Sequence, residues 1–301
     1  MLEIKNVSHY YGSQKVLSDV DFQGHAGEIL GLVAPNGAGK TTLLHIIMNF
    51  IQPAQGKVEW KDEEGVIDYK SEQSRVEMHR KISYLPEIDD LYAELSGRDH
   101  INLYSALWEE DKSHGQAVIE RLNMESYVNR PVDTYSLGMK QRLCFAMLLS
   151  ANSPVMLMDE VMNGLDPDNV DLITNILMDL KANGKLIFIA SHLLENLDLY
   201  ADRILFIKET KLIILDENAD SLFLKIDVKN HKSKELKDMG LWIDEAELLP
   251  SGLLLLPIES NDSAKEWISR ALTLGFHQQS IGKLGAKEWY EKFYGRESGV
   301  N

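Results

Sequence analysis

The sequence predicts an α/β fold followed by a small α+β domain. A glycine-rich loop at 34–42 lies between an apolar run and a helical segment, the arrangement of a phosphate-binding loop. Two further apolar runs, 155–158 and 185–190, have the length of buried parallel strands, and helical segments separate them. From about residue 218 this alternation stops, and shorter strands and helices follow.

The composition is typical of a globular protein with an acidic surface. The chain has 301 residues and a formal net charge of −16. Proteins that bind nucleic-acid phosphates present a basic face, so no nucleic-acid partner is expected. The apolar runs fall short of the roughly 20 residues that span a bilayer, and the N-terminus lacks a secretory signal pattern. We therefore expect a cytoplasmic protein. The single cysteine, Cys144, is expected to be a core residue.

The N-terminal segment predicts strands that precede the phosphate-binding loop. Residues 2–7 and 16–22 alternate apolar and polar side chains, as half-buried strands do. The stretch 9–12 ends in glycine and predicts a turn between them. A tyrosine at this turn could stack on a nucleotide base.

The loop at 34–42 contains residues suited to binding the phosphates of a nucleotide and the Mg²⁺ that accompanies them. Gly37 and Gly39 allow the backbone to curl so that successive N–H groups point at an anion. Lys40 can reach the β- and γ-phosphates, and the Thr41 hydroxyl can bind Mg²⁺. The strict pattern has glycine at position 34, where this chain has alanine.

The middle of the chain predicts a helical region. Residues 61–81 are highly charged and indicate a solvated face. Within 96–150, Ser96 caps one helix and Ser113 begins a second. Ser136 is a plausible N-cap of a third helix, whose N-terminus would favour an anion.

Polar side chains follow each of the two later strands of the predicted sheet. The run 155–158 ends at Asp159 and Glu160, and the run 185–190 is followed by Ser191 and His192. Ligands of α/β proteins bind at the carboxyl ends of parallel strands, so these residues are candidates for the site. In a phosphate-loop protein the first acid serves Mg²⁺, and the next can polarise water.

In this order, the features resemble the ATP-binding subunit of an ATP-binding cassette (ABC) transporter over residues 2–216. The resemblance implies an ABC ATPase fold with N-terminal antiparallel strands and a helical insert at about 88–152. It divides the chain into an ATP-binding domain at 1–217 and an accessory α+β domain at 218–301. It also implies the cofactors ATP and Mg²⁺.

The resemblance assigns roles residue by residue. Tyr11, with Tyr10 as the substitute, is similar to the family's adenine-stacking aromatic. Glu160 resembles the general base, His192 the γ-phosphate switch and Asp159 the Mg²⁺-side acid. Residues 164–166 resemble the dimer-contacting D-loop. The ATP-binding residues implied are Asn36, Gly37, Ala38, Gly39, Lys40, Thr41, Thr42, Ser136 and Gly138, and the implied metal ligands are Thr41, Asp159 and Glu87.

The chain departs from the family pattern in the signature loop and at three single positions. The signature loop, usually Leu-Ser-Gly-Gly-Gln, retains Ser136 and Gly138 in the stretch 135–139. Ala34 replaces glycine, Val161 replaces proline, and Glu87 stands where a glutamine normally contacts Mg²⁺. Because Glu87 adds negative charge beside phosphates, its part in metal coordination stays open.

The resemblance implies a dimer of ATP-binding subunits, homo- or heterodimeric, that powers export through a separate integral-membrane permease. Such a subunit is peripheral on the inner face of the cell membrane. The alternative is a soluble ABC ATPase that acts in translation, on DNA or in regulation. The presence of one cassette and the absence of long heptad repeats argue against the first two, and retention of Lys40, Asp159, Glu160 and His192 argues against a catalytically weak regulator.

Overall fold

The computed structural model describes residues 1–162, 167–191, 194–216, 221–229 and 231–295. It divides into two compact units. The ATP-binding unit, as we call it from its loop, comprises 1–193 and 199–214, and the C-terminal unit comprises 194–198 and 215–301.

The ATP-binding unit contains an antiparallel sheet of four strands, in the order β2-β1-β4-β5. Their bounds are Leu2–Tyr11 for β1, Gln14–Gly24 for β2, Gln55–Asp62 for β4 and Gly65–Asp68 for β5. The turn expected at 9–12 is present but is confined to Gly12 and Ser13, because β1 continues to Tyr11 and pairs there with Gln14. The charged stretch 61–81 contains both β5 and the helix α2, Glu72–Lys81, which Ser71 caps.

A second sheet contains six strands, in the order β10-β9-β3-β8-β7-β6. The bounds are Glu28–Val33 for β3, Ile82–Tyr84 for β6, Val155–Asp159 for β7, Leu186–Ala190 for β8, Arg203–Lys208 for β9 and Lys211–Asp216 for β10. The pairs β3–β8, β3–β9, β6–β7 and β7–β8 are parallel. Their apolar runs are buried, as expected for parallel strands covered on both faces.

Helix α1, Lys40–Ile47, packs in a core shared by both sheets. Its Leu43 and Leu44 are fully buried in the same cluster as Ile4 of the antiparallel sheet and Phe188 of the parallel one. The helix α6, Pro167–Ala182, lies between β7 and β8 in the sequence. Because two sheets pack around it, α1 presents its N-terminus at a fixed place beside the carboxyl end of β3.

The helical insert consists of α3, Gly97–Leu107, α4, Lys112–Arg121, and α5, Leu137–Ser150. Ser96 and Ser136 cap α3 and α5, since each hydroxyl accepts a backbone N–H of the first turn. The expectation that Ser113 begins the second helix is wrong by one residue, because the Asp111 carboxylate accepts the Ser113 N–H at 2.8 Å and α4 begins at Lys112.

The C-terminal unit follows the element order β-α-β-β-α-β, the ferredoxin-like arrangement, with one further helix. Its antiparallel sheet has the order β12-β13-β11-β14. The bounds are Leu222–Asp227 for β11, Ser233–Asp238 for α8, Glu247–Leu248 for β12, Leu253–Ile258 for β13, Asn261–Thr273 for α9, Gln279–Gly282 for β14 and Ala286–Tyr294 for α10.

Alternate side chains of β11 contact helices on opposite faces of this sheet. Leu224 and Ile226 belong to the apolar cluster that includes Leu236 of α8 and Ala271 of α9. Lys225, between them, donates to Glu288 of α10 at 2.5 Å. The short helix α7, Leu194–Leu197, packs against α10 and so joins this unit.

Candidate nucleotide-binding site

The phosphate-binding loop occupies 34–39, between the end of β3 and the first residue of α1. Gly39 is the N-cap of α1 with a φ of 112°, and Gly37 has a φ of 78°. Both conformations favour glycine. A Cβ at Gly39 would also meet Cγ1 of Val16 at 2.9 Å, so this position excludes larger residues on two grounds. The loop therefore ends at the N-terminus of α1, whose backbone N–H groups favour an anion.

Lys40 lies under the loop that precedes it. Its side chain is buried, and Nζ donates to the carbonyl oxygens of Ala34 at 2.7 Å and Pro35 at 3.4 Å. Burial lowers the pKa of the Lys40 ammonium, while the charges of Asp159 and Glu160 oppose that change. The ammonium is thus a desolvated cation held at the loop, where its attraction for phosphate is stronger than in water.

Thr41 and Asp159 meet although 118 positions separate them. The Thr41 hydroxyl donates to the Asp159 carboxylate at 2.8 Å, where the carboxyl end of β7 reaches the beginning of α1. Burial raises the pKa of Asp159, the Glu160 charge adds to that effect, and the Thr41 hydrogen bond opposes it. A hydroxyl and a desolvated carboxylate are oxygen donors that suit Mg²⁺, so these two residues fit the implied metal.

Glu160 follows Asp159 in an unusual backbone conformation. Its φ is 56°, in the left-handed region, and its N–H donates to the carbonyl oxygen of Ala190 at 2.8 Å. Ala190 is the last residue of β8. This bond fixes the first residue after β7 to the end of the neighbouring strand and turns Glu160 into the cavity described next.

A cavity of about 840 Å³ unites most of the predicted residues. Its size lies within the range of small-molecule sites. The predicted residues that line it are Tyr11, Asn36, Gly37, Gly39, Lys40, Thr41, Thr42, Glu87, Asp159 and Glu160. Ala38 instead packs against the core. The arrangement can hold a nucleotide triphosphate by its phosphates and present a carboxylate beside them.

Tyr11 lines this cavity and Tyr10 is absent from the described lining. The Tyr11 hydroxyl is 3.5 Å from Oγ1 of Thr42, and the His9 ring contacts the Tyr11 ring edge-on, with 4.9 Å between centroids. About half of the Tyr11 side chain is exposed, so its ring can receive a base. Tyr10 lies under Lys15 Nζ, which is 5.5 Å from its ring centroid.

Ser136 and Gly138 are also absent from the described lining of the cavity. Ser136 is exposed and Gly138 is half-buried at the beginning of α5, where the Ser136 hydroxyl accepts the Met139 N–H at 3.3 Å. A Cβ at Gly138 would meet no atom within 4 Å. Within one chain these two residues are therefore not part of the described cavity lining, and their action across a dimer stays a prediction.

The helix α5 contributes two other residues that the sequence analysis did not place in the site. Gln141 and Cys144, three positions apart and hence on one helical face, line the cavity. Cys144 is buried, as expected, and burial raises the pKa of its thiol to about 12. The sequence spacing of these two residues indicates that they share one face of a helix. Only the packing of α5 in the structure shows that this face lines the cavity.

The remaining predicted residues lie outside the described part of the chain. His192 falls in the undescribed stretch 192–193, and the D-loop at 164–166 falls in the undescribed stretch 163–166. Among the described residues no cluster of three or more histidine, cysteine or acidic side chains could hold a metal ion. None of the described helices has the length and apolar character needed to cross a membrane.

Comparison with known proteins decides the family. The ABC transporter family model matches residues 17–163. The lantibiotic transport ATP-binding protein SrtF of Streptococcus pyogenes is 32% identical over 228 residues, which cover 74% of this chain and 96% of that protein. The chain belongs to the ABC transporter ATP-binding proteins. The predicted family and its ATPase chemistry are thereby confirmed.

Other ATP-binding proteins of this family match a similar share of the chain. The bacitracin transport ATP-binding protein BcrA of Bacillus licheniformis is 28% identical, over 71% of this chain and 68% of that protein. A solved ATP-binding subunit of an ABC transporter superposes with a TM-score of 0.65 at 24% identity, over 72% of this chain and 90% of that one. A dimeric ATP-binding cassette bound to ADP and Pi gives a TM-score of 0.64 at 22% identity, over 72% and 98%. The predicted ABC ATPase fold is confirmed.

Proposed function

We propose that this chain is the ATP-hydrolysing subunit of an ABC exporter, that it acts as a dimer, and that it binds a separate permease at the inner face of the cell membrane. The observation that supports hydrolysis most directly is the meeting of Lys40, the Thr41–Asp159 pair and Glu160 in one cavity. The relatives named for lantibiotic and bacitracin transport and for Nod factor export support transport of a substrate out of the cell.

Binding of ATP follows from the loop and its neighbours. Loop N–H groups and the N-terminus of α1 bind the phosphate oxygens, and Lys40 exchanges its carbonyl partners for the β- and γ-phosphates. Tyr11 stacks on the adenine. Thr41 and Asp159 would hold Mg²⁺, with Glu87 as a further oxygen donor in the cavity. The ion would neutralise charge that develops on the phosphates.

Hydrolysis requires a base beside the γ-phosphate. Glu160 lines the same cavity as Lys40, and the bond between its N–H and Ala190 holds its backbone. We assign it to accept a proton from the attacking water as the water oxygen bonds to the γ-phosphorus. The bond between that phosphorus and the bridging oxygen breaks, and ADP leaves with this oxygen. Such a base contributes about 10²–10⁴-fold in rate. His192 is assigned to the γ-phosphate, as the family pattern implies.

Closure of the site is assigned to the dimer. Ser136 lies exposed and Gly138 half-buried at a helix N-terminus, outside the described lining of the cavity. They are therefore available to bind the γ-phosphate held by a partner subunit. Because that phosphate would bridge two chains, its loss after hydrolysis separates them, and this order–disorder step drives the permease.

The surface proposed for the permease lies on the helical insert at 87–108. Tyr92 is 61% exposed, and Leu103 and Leu107 of α3 are 43% and 60% exposed. Leu103 and Leu107 are four positions apart and so share one face of the helix. Exposed apolar side chains grouped in this way are typical of a protein-binding surface.

Co-purification from the native membrane tests this function. The tagged chain should retain a multi-span permease, and the variant Leu107→Asp should lose it while it still binds ATP. Val66→Asp is the matched control, since Val66 is 59% exposed on the short strand β5. Recovery of ribosomal or nucleic-acid partners without a membrane protein would contradict the transport function.

A further inference from the structure

The end of β1 carries two aromatic rings on one face, those of His9 and Tyr11. Alternate residues of a strand point to the same side of the sheet, so the two rings are neighbours. Their centroids are 4.9 Å apart and their planes meet at 80°, an edge-to-face arrangement that aromatic pairs prefer. Tyr11 is the residue that we assign to the adenine, whereas His9 has no role in that assignment.

Tyr11 has few other restraints in the described structure. It is the last residue of β1, before a turn of two residues, and it is 52% exposed. Its hydroxyl lies 3.5 Å from Oγ1 of Thr42, which is long for a hydrogen bond between two hydroxyl groups. Exposed side chains change rotamer rapidly unless a neighbour packs against them. The contact with the His9 ring is therefore the restraint that can fix the plane of the Tyr11 ring.

His9 is fixed by packing. It is 9% exposed, and within the described part of the chain its buried Nδ1 has no hydrogen-bond partner. A buried nitrogen without a partner lowers stability, so bonding at Nδ1 does not account for the imidazole at this position. What the ring provides is a rigid surface against Tyr11.

A β-bulge in β2 brings this strand pair against the phosphate-binding loop. The register of β1 against β2 shifts by one residue after His9, and Val16 is the extra residue on β2. Val16 lines the nucleotide cavity, and a Cβ on Gly39 would lie 2.9 Å from its Cγ1. The strands that carry His9 and Tyr11 are thus packed directly on the loop to which we assign the phosphates.

We propose that His9 is a positioning residue for nucleotide binding: its buried ring holds the half-exposed Tyr11 ring in the orientation that stacks on the adenine. The proposal rests on the assignment of Tyr11 to the adenine. A side chain that is ordered before the ligand arrives loses less conformational entropy on binding, so the contact with His9 raises the affinity for the base.

The effect of His9 should be confined to the base. Inorganic triphosphate has no base, and its affinity should therefore not depend on the orientation of Tyr11. Stacking on the adenine is the same in the ground state and the transition state of hydrolysis, which takes place at the γ-phosphate. Loss of the His9 ring should accordingly raise the KM for ATP and leave kcat unchanged.

The first test is titration calorimetry of His9→Ala in the full chain, with ATP and separately with inorganic triphosphate. We expect the Kd for ATP to rise about two- to tenfold and the Kd for triphosphate to stay unchanged. His79→Ala is the matched control: His79 lies beside the Tyr69 ring, with 5.7 Å between centroids, and neither residue belongs to the described cavity lining. An unchanged Kd for ATP in His9→Ala would overturn the proposal, as would an equal rise for triphosphate.

The variant His9→Phe keeps a ring and removes both nitrogens. Because Nδ1 has no partner to lose in the described structure, this variant should fold and should bind ATP as the wild-type chain does. His9→Leu removes the ring but fills the same space, so it takes the place of His9→Ala if the alanine variant does not fold. Weak binding of ATP by folded His9→Phe protein would show that the ring contact is not what matters, and would overturn the proposal.

A double-mutant cycle shows whether His9 acts through Tyr11. In a Tyr11→Ala chain, the further change His9→Ala should leave the Kd for ATP where Tyr11→Ala alone puts it. A second loss of the full size would contradict the proposal, because His9 would then act on the nucleotide independently. Failure of the proposed function gives a different pattern: Tyr11→Ala alone would leave the Kd for ATP unchanged, whatever His9 does.

Discussion

The N–H of Glu160 donates to the carbonyl oxygen of Ala190 at 2.8 Å, and this bond holds Glu160 at a φ of 56°. The left-handed conformation costs a residue with a side chain about 1–2 kcal/mol. Strained backbone of this kind persists where the surrounding structure determines it, and it is concentrated at functional sites. The two strands that contribute to the site are thus joined at the residue to which we assign proton transfer.

Replacement of Lys40 by alanine should weaken ATP binding. A hydrogen bond to a charged group contributes about 1.5–3 kcal/mol, which corresponds to a roughly 10- to 100-fold increase in Kd. Lys70→Ala is the control, because Lys70 is 78% exposed and pairs with Asp68 on the surface. The Kd from titration calorimetry measures the effect, and an unchanged value would remove Lys40 from the site.

Tyr11→Ala should weaken binding of ATP more than Tyr10→Ala. Stacking of an aromatic side chain on a base contributes about 1–3 kcal/mol, and Tyr11 is the one of the two tyrosines that lines the cavity in the described structure. Titration with ATP and with inorganic triphosphate separates the base from the phosphates. A loss for triphosphate equal to that for ATP would contradict stacking on the adenine.

Asp159→Asn should stabilise the nucleotide-free protein and abolish its response to Mg²⁺. Because burial raises the folded-state pKa of Asp159 above its usual value, ionisation opposes folding, and stability is lost as pH rises through that pKa. Asparagine removes this penalty. Thermal unfolding at neutral pH should show a higher Tm for the variant without ligand. With ATP present, addition of Mg²⁺ should not raise the Tm of the variant further. A lower Tm without ligand would contradict this account.

The composite site can be tested by mixing two inactive variants. Gly138→Asp brings a negative charge to the γ-phosphate of the other chain, and it should not harm folding, since the position is open and an acid favours the first turn of a helix. A mixture of Lys40→Ala and Gly138→Asp chains forms dimers with one complete site. We expect the mixture to regain ATPase activity that neither variant has. Activity of Gly138→Asp alone at the wild-type level would contradict a site shared between chains.

Much of the site could be predicted because its residues belong to short stretches of sequence with a recognisable pattern. The loop at 34–42 is defined by glycines whose conformations the structure shows, and Asp159 follows an apolar run that forms a buried strand. The local pattern does not show how α5 packs, so the presence of Gln141 and Cys144 in the cavity could not be foreseen.

The C-terminal unit was harder to predict, for physical reasons. Its strands β12 and β14 have two and four residues, too short for a periodic signal. The grouping of 194–198 with this unit depends on contacts with α10, far away in the sequence. The left-handed φ of Glu160 likewise depends on a hydrogen bond to a different strand.

The central claim is that Glu160 acts as the base for ATP hydrolysis in a dimer. The most direct measurement is single-turnover ATP hydrolysis by Glu160→Gln beside the wild-type chain, with the oligomeric state of each followed by size-exclusion chromatography. We predict that the variant binds ATP with unchanged affinity, hydrolyses it about 10²–10⁴-fold more slowly, and accumulates as an ATP-bound dimer. Hydrolysis by the variant at the wild-type rate would contradict the claim.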